Sequence, residues 1–499
     1  MKLLFLLLHS VWLIASTLHL SASSNPARLN PLIATDSASS SIAGFMFNSL
    51  VKYDESGQKI IGDLAESYRF ITPTLIEFKL RRGVKWHDGR AFSADDVLFT
   101  YELIKSPKTV TPYASDFRVI KNVRVIDAYT VHVTYEKPYF KALEVWMMGI
   151  VPRHVLAHEK DIMSSAFNTR PIGTGPYILK QLEFSKQIVL VANPNYFEHK
   201  PKIERIVFHV ISDPMTRFLM LKSGQIDVDA LEPMQYERQL DKGFKQNFAT
   251  LELPSHSYTY LGFNLRLKKF QDPRVREALS LAIDRQKLID ILFMKHGHVC
   301  TGPFLPGSKG FNDTVKAPKQ NLARAKELLR AAGYDAAHPL QFEIATSNSN
   351  AIRPYAAEIL QRQFLDVGVK VTLRVMEWQA FLNTVVAPRK FDTVLLGWSL
   401  SLTPDPYALW HSDSDVPGGF NLVGYHSKTT DRLIEKMEGS TDPEKTAAFQ
   451  RQIFERIVGD NPYLFLVIPN EINVYSRRIT GIKPTINGIW EDYIDWEKK

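Results

Sequence analysis

The sequence predicts an α/β protein. Helical and period-two apolar patterns alternate through its second half, helix ends carry recognisable caps, and no Pro-, Gly- or Ser-rich linker splits the chain into strung-out units. A chain of 499 residues, 45% hydrophobic and 23% charged, is long enough for two or three domains with substantial cores, which excludes disordered and collagen-like classes.

Taken in chain order, Thr17 to Ala22 alternates apolar and polar residues like a strand. Ile76, Phe78 and Leu80 share one face of a second strand, which runs into the turn Trp86-His87-Asp88-Gly89. At Phe92 to Val97, Ser93 can accept from the first helical turn, Asp95 and Asp96 complement the helix dipole, and Phe92 can staple onto Val97. A helix from Ala94 to about Lys105 follows, stopped before Pro107. Asp272-Pro273 caps and opens a helix with Val275, Leu279, Ala282 and Ile283 inward. Asn321 starts another, with Leu322, Ala325, Leu328, Leu329 and Ala332 inward and Gly333 as its C-terminal cap. A helix over 354–366 ends at Gly368 and leads into a strand with Val369, Val371, Leu373 and Val375 on one face and Lys370, Thr372 and Arg374 on the other.

Leu3 to Ala15 is an apolar run too short to span a bilayer and reads as an export signal cleaved near Ala15, because the alternation from Thr17 onward belongs to the mature fold. Cys300 is the only cysteine, so no disulfide framework and no lipidated cysteine is expected. The formal net charge is +8, or +7 once Lys2 is removed, and it is dispersed rather than gathered into the stripe that nucleic acid requires. There is no G-x-S-x-G, H-E-x-x-H, complete G-x-G-x-x-G or Walker A pattern, so no enzyme and no cofactor is expected. Ser56-Gly57-Gln58-Lys59 matches S-x-x-K, and Asn312-Asp313-Thr314 the glycosylation pattern, at the level expected by chance.

Three features are more specific: the turn Gly173-Thr174-Gly175-Pro176-Tyr177, the break Ala192-Asn193-Pro194-Asn195-Tyr196-Phe197, and the helix Thr216 to Lys222 closed by Ser223-Gly224 before Ile226-Asp227-Val228. With Gly62 to Tyr68, Leu80 to Gly89, Tyr260 to Asn264, Arg274 to Arg285 and Phe391 to Trp398, the chain resembles the family 5 extracellular solute-binding proteins, the peptide, nickel and opine receptors of bacterial ABC importers. The resemblance implies a two-lobed periplasmic binding protein of type II (cluster C) with an inserted subdomain. Lobe I would combine 16–43, 171–258 and 472–499, the insert would span 44–170, and lobe II 259–471. Tyr258 to Asn264 and Phe465 to Val474 would be the crossings that form the hinge. It also implies a periplasmic, monomeric receptor that binds di- or oligopeptides and delivers them to an inner-membrane ABC permease with its ATPase.

The ligand-lining residues expected are Thr35, Asp36, Trp378, Trp398, Ser399, Ser401, Asp405 and Asn421, with Trp410 in the core. Glu377-Trp378 and Gly397-Trp398 are placed beside the ligand by the resemblance, and aromatic faces suit variable side chains. Where many peptide receptors of the family carry an aspartate for the ligand's α-ammonium, this chain has Ser401, which cannot make a charge-assisted bond of that kind. Asp405 or Asp36 could replace it, although Asp36 reads equally as a loop cap. A rival ligand, a nickel or haem-like chelate, draws on His296-Gly297-His298-Val299-Cys300, whose alternation would put two imidazoles and a thiol on one strand face, with His411 and His426 as further donors. Trp86-His87-Asp88-Gly89 reads as scaffold. A secreted hydrolase or chaperone on the same fold is a further rival, weakened by the lack of any paired nucleophile and base.

Overall fold

One 14-residue strand, Tyr463–Ser476, is shared by the two halves of the molecule. The computed structural model describes residues 16–499 apart from positions 35, 55, 58, 112, 115, 402, 417, 486 and 487, so the expected signal segment and Thr35 lie outside the described residues. The early part of the long strand pairs antiparallel with Ser257–Phe263 (Gly262 opposite Tyr463), and its later part with Phe248–Pro254 (Leu251 opposite Asn473) and Val228–Leu231. The chain between Pro254 and Ser257 therefore passes from one set of partners to the other.

Outward from the long strand, one wing of this mixed sheet runs through Ser257–Phe263, Thr393–Ser399, Gln341–Ser347 and Lys370–Met376. The other runs through Val228–Leu231, Thr17–Ala22, Arg205–Val210, Gln187–Ala192 and Tyr177–Glu183. Separate cores support the wings: Leu261, Leu279, Leu329, Phe342 and Leu395 pack in one, Leu18, Leu20, Phe45, Leu190 and Phe208 in the other. A four-stranded antiparallel sheet, Ala65–Thr72, Leu75–Leu80, Thr130–Tyr135 and Ile120–Asp127, joins the second core through Phe78, Val131 and Trp146.

The expected helices form at Ala94–Lys105, Pro273–Ala282, Leu322–Ala331 and Ile352–Leu365. Asp272 accepts from the Arg274 amide and Asn321 from the Arg324 amide, as their capping patterns require. In the strand Lys370–Met376 the inward set is less uniform than the alternation suggests: Val371 is buried but Val375 is 45% exposed. This strand is at the sheet edge, where one flank has no neighbour to cover it. Among the described residues no helix is long and apolar enough to cross a membrane.

The glycine turn at 173–177 shows why its residues are needed. The Gly175 amide donates to the Met46 carbonyl (2.9 Å) and the Tyr177 amide to the Phe45 carbonyl (3.0 Å). A Cβ on Gly173 would stand 1.8 Å from the Met46 oxygen, and one on Gly175 would stand 2.4 Å from the Met46 carbonyl carbon. Asn193 closes the turn by donating its side-chain amide to the Gly175 carbonyl (3.1 Å), and His87 bridges it from the turn Trp86 to Gly89. The Gly173 amide donates to His87 Nδ1 (3.1 Å), which leaves Nε2–H to donate to the Gly175 carbonyl (3.0 Å). The Trp86 to Gly89 turn is thus scaffold, as the sequence indicates, and Trp86 donates to the buried Asp96 (3.3 Å).

The packing of this turn sets the cost of altering it. Gly173→Ala should cost more than about 4 kcal/mol, or prevent folding, because the clash is with backbone, whereas Gly89→Ala, with a positive φ but open space around it, should cost about 1 kcal/mol; thermal melts of the two variants compare them. Burial lowers the His87 pKa from 6.5 to about 4, so the unfolded chain takes up that proton first. Stability from this group is complete above pH 6.5 and falls as pH is lowered toward about 4, and the fall in melting temperature over that window should be smaller in His87→Asn.

Candidate ligand-binding cleft

A cavity of about 1060 Å³ lies between two walls. One is lined by Tyr53, 59–60, 70–73 and 139–140 with 143–144, the other by His256, 305–309, 400–401, 403–404 and 440–441 with Gln450. Phe70, Ile71, Phe140, Leu143, Leu305 and Leu400 give it an apolar lining, and Tyr53, Glu144, Ser401 and Thr403 place polar groups within it. An apolar cavity with a few convergent polar groups, at the upper end of the usual size for small-molecule sites, suits a ligand of several residues better than a single ion.

Beside the cavity the walls are joined directly. Arg118, in the short turn Asp116–Val119, forms an ion pair with Glu438, the last residue of the helix Lys428–Glu438, whose side chain is 1% exposed. The Arg118 guanidinium also stands 4.0 Å over the Tyr407 ring. The Phe140 amide donates to the Glu438 carbonyl (3.1 Å), Lys137 lies 3.7 Å from the Glu438 carboxylate, and Tyr139 donates its hydroxyl to Asp405 (3.0 Å). Burial and the neighbouring Asp405 charge push the Glu438 carboxyl up, while Arg118 and Lys137 oppose them.

The sequence-predicted residues divide. Ser401 lines the cavity, with Leu400, Thr403 and Pro404 from the same run. Trp398 is half-buried, stacks near-parallel with Tyr260 (centroids 6.2 Å apart), meets the Phe420 edge, and donates to the Tyr463 hydroxyl (3.3 Å). Trp378 packs on Phe381, Ser399 is exposed at its strand end, and Trp410 is buried as expected. Asp36 caps the helix Ser37–Gly44 by accepting from the Ser39 amide (2.8 Å), the bland alternative read from the sequence. Asp405 takes the Tyr139 hydroxyl and the Tyr407 amide (2.9 Å), so its carboxylate braces the two walls. Asn421 is fully buried, and both ends of its amide bind backbone at His411 and Tyr425; it locks a turn.

His296, His298 and Cys300 do not converge. The His296 ring bridges Glu252 (2.9 Å) and Glu237 (2.8 Å), His298 is exposed, and Cys300 is buried with its thiol directed to the Gly302 carbonyl (3.4 Å). Burial pushes that thiol up to about 12, leaving it protonated and a poor metal ligand. Among the described residues no three His, Cys, Asp or Glu side chains gather as a metal site.

Two groups escape a reading of the sequence. Arg353, at the start of the helix Ile352–Leu365, lies so close to Gly397 that a Cβ at that glycine would meet the Arg353 Nη2 at 2.8 Å. Its Nε is buried with no protein partner, as is the Tyr258 hydroxyl. Glu144 lines the cavity from the short turn Glu144–Trp146. Neither stands in a recognisable motif, and the contacts that single Glu144 out come from segments hundreds of residues apart.

Known proteins share this fold. The family model described as bacterial extracellular solute-binding proteins, family 5 (Middle), matches residues 59–420. The oligopeptide-binding protein AppA of Bacillus subtilis is 29% identical over 480 residues, covering 92% of this chain and 87% of AppA. Its structure in complex with a nonapeptide superposes with a TM-score of 0.86 at 28% identity, over 97% of this chain and 99% of that one. NikZ of Campylobacter jejuni in complex with Ni(L-His) superposes with a TM-score of 0.85, also at 28% identity and over 97% and 99% of the two chains.

The cross-wall ion pair makes a distinct prediction. Arg118→Ala leaves the Glu438 carboxylate buried beside Asp405 and should lower stability by up to about 3 kcal/mol, while Arg118→Met combined with Glu438→Met should recover most of the loss. The midpoint of urea unfolding reads both.

Proposed function

The chain belongs to the bacterial extracellular solute-binding proteins, family 5, and from that membership we propose that it is the peptide-binding receptor of an ABC importer. The observation that carries this reading is the cavity between the two walls, apolar with a few convergent polar groups and large enough for several residues, on a chain whose fold matches a nonapeptide complex over nearly its full length.

In this reading 16–43, 171–258 and 472–499 form lobe I, 44–170 its inserted subdomain and 259–471 lobe II. The lobes bend about the long strand and the Ser255-His256 connection, where strand partners change. Ligand favours the closed arrangement by touching both walls, and closure presents a composite surface to the membrane permease. Export through the segment 1–15 with cleavage near Ala15, no lipid anchor, and a monomeric receptor complete the proposal. Affinity comes from backbone hydrogen bonds, the apolar lining of Phe70, Phe140 and Leu305, and bridging water.

A nickel or haem-like chelate is the second reading, supported by the likeness to NikZ. A chelate that carries its own ligands would need no dedicated metal cluster in the protein.

Thermal shift with defined ligands separates the two. A mixture of peptides two to nine residues long should raise the melting temperature by about 2 °C or more at saturating concentration. Nickel with L-histidine should not; stabilisation by that chelate alone, with none by peptides, would transfer the function to the second reading.

A further inference from the structure

Among the described residues lining the cavity, Glu144 is the only carboxylate. It is fixed by its neighbours Val145 and Trp146, both buried in the core beneath the wall. The hydroxyls of Tyr53 from one wall and Thr403 from the other lie 3.5 Å from each other beside it, and both act to lower its carboxyl pKa. A carboxylate has about four acceptor sites, so two hydroxyls leave the remainder open. Lys141, the cation whose field acts on Glu144, pairs instead with Asp116 at 3.9 Å. Asp405 is engaged by Tyr139 and Tyr407, and Glu438 by Arg118 and Lys137. Burial raises the Glu144 carboxyl against the opposing effects of Lys141 and the two hydroxyls. Lys59 and Lys309 line the same cavity and are exposed, so its acid is accompanied by ammonium groups accessible to solvent.

We propose that Glu144 is the subsite for a cationic group of the ligand, an ammonium at a peptide N-terminus or on a lysine side chain, with the Tyr53 and Thr403 hydroxyls holding the carboxylate in place. The proposal rests on the peptide reading above and adds a specificity-determining residue to it. An ammonium has three donors and no acceptor, which matches the open sites on a carboxylate flanked by two hydroxyls. Because those hydroxyls come from opposite walls, an ammonium seated there also favours the arrangement in which the walls meet.

The test uses the full chain and two randomised tetrapeptide libraries, one with free N-termini and one N-acetylated, with retained members identified by mass spectrometry after gel filtration. The wild type should retain free-amine members over acetylated ones lacking lysine by about tenfold or more. Preference for the free library regardless of lysine assigns the N-terminus; retention of acetylated members only when they contain lysine assigns the side chain. Glu144→Gln keeps an acceptor for the two hydroxyls, should melt close to the wild type, and should lose the preference while still binding peptides. Equal retention of all classes by the wild type, or the same preference in Glu144→Gln, overturns the subsite and leaves the peptide reading standing. If the wild type retains no member of either library, the peptide reading fails and the subsite fails with it.

Discussion

The hydrogen-bonded ladder along Tyr463–Ser476 holds the molecule together as one body, and every other feature is placed relative to it. Its first six residues are buried, and its two ends belong to different strand neighbourhoods. A strand paired on both flanks cannot slide or detach without exposing backbone donors and acceptors, so relative movement of the two halves is confined to bending and twisting along it. That confinement is what a receptor of this kind needs: two walls that separate and return to the same register. The walls rest on different buried clusters, Phe78 and Trp146 in one and Leu305, Trp410 and Phe454 in the other, with Phe140 packed against both.

The glycine turn at 173–177 serves the same end from the other side. By bringing its backbone onto Phe45 and Met46 and receiving the His87 ring, it ties the segment carrying His87 to the wing that contains Thr17–Ala22 and Tyr177–Glu183. The same part of the chain supplies one wall of the cavity, including Tyr53, Tyr139 and Glu144, so this attachment bears on the position of that wall. The shape of the cavity is in this way set partly by residues that do not line it.

Much of the fold is legible in the sequence because local rules and tertiary needs agree there. Capped helices such as Ala94–Lys105 and Pro273–Ala282 form where their caps and apolar spacing place them, and Trp410 is buried. The site is less legible. Ser401 does line the cavity, but Asp36 and Asn421 are spent on local turns, and the apparent face of His296, His298 and Cys300 comes apart because each has a different environment. The pairing of Arg118 with Glu438 spans 320 positions, and no local pattern announces it. Cross-wall contacts depend on how two halves meet, which one-dimensional periodicity does not encode.

Whether this cavity holds peptides is decided by native mass spectrometry of the purified protein, before and after mild denaturation. A peptide receptor should release a ladder of short peptides on unfolding, whose lengths define the ligand class. Stoichiometric nickel or a metal chelate without peptide would contradict that assignment.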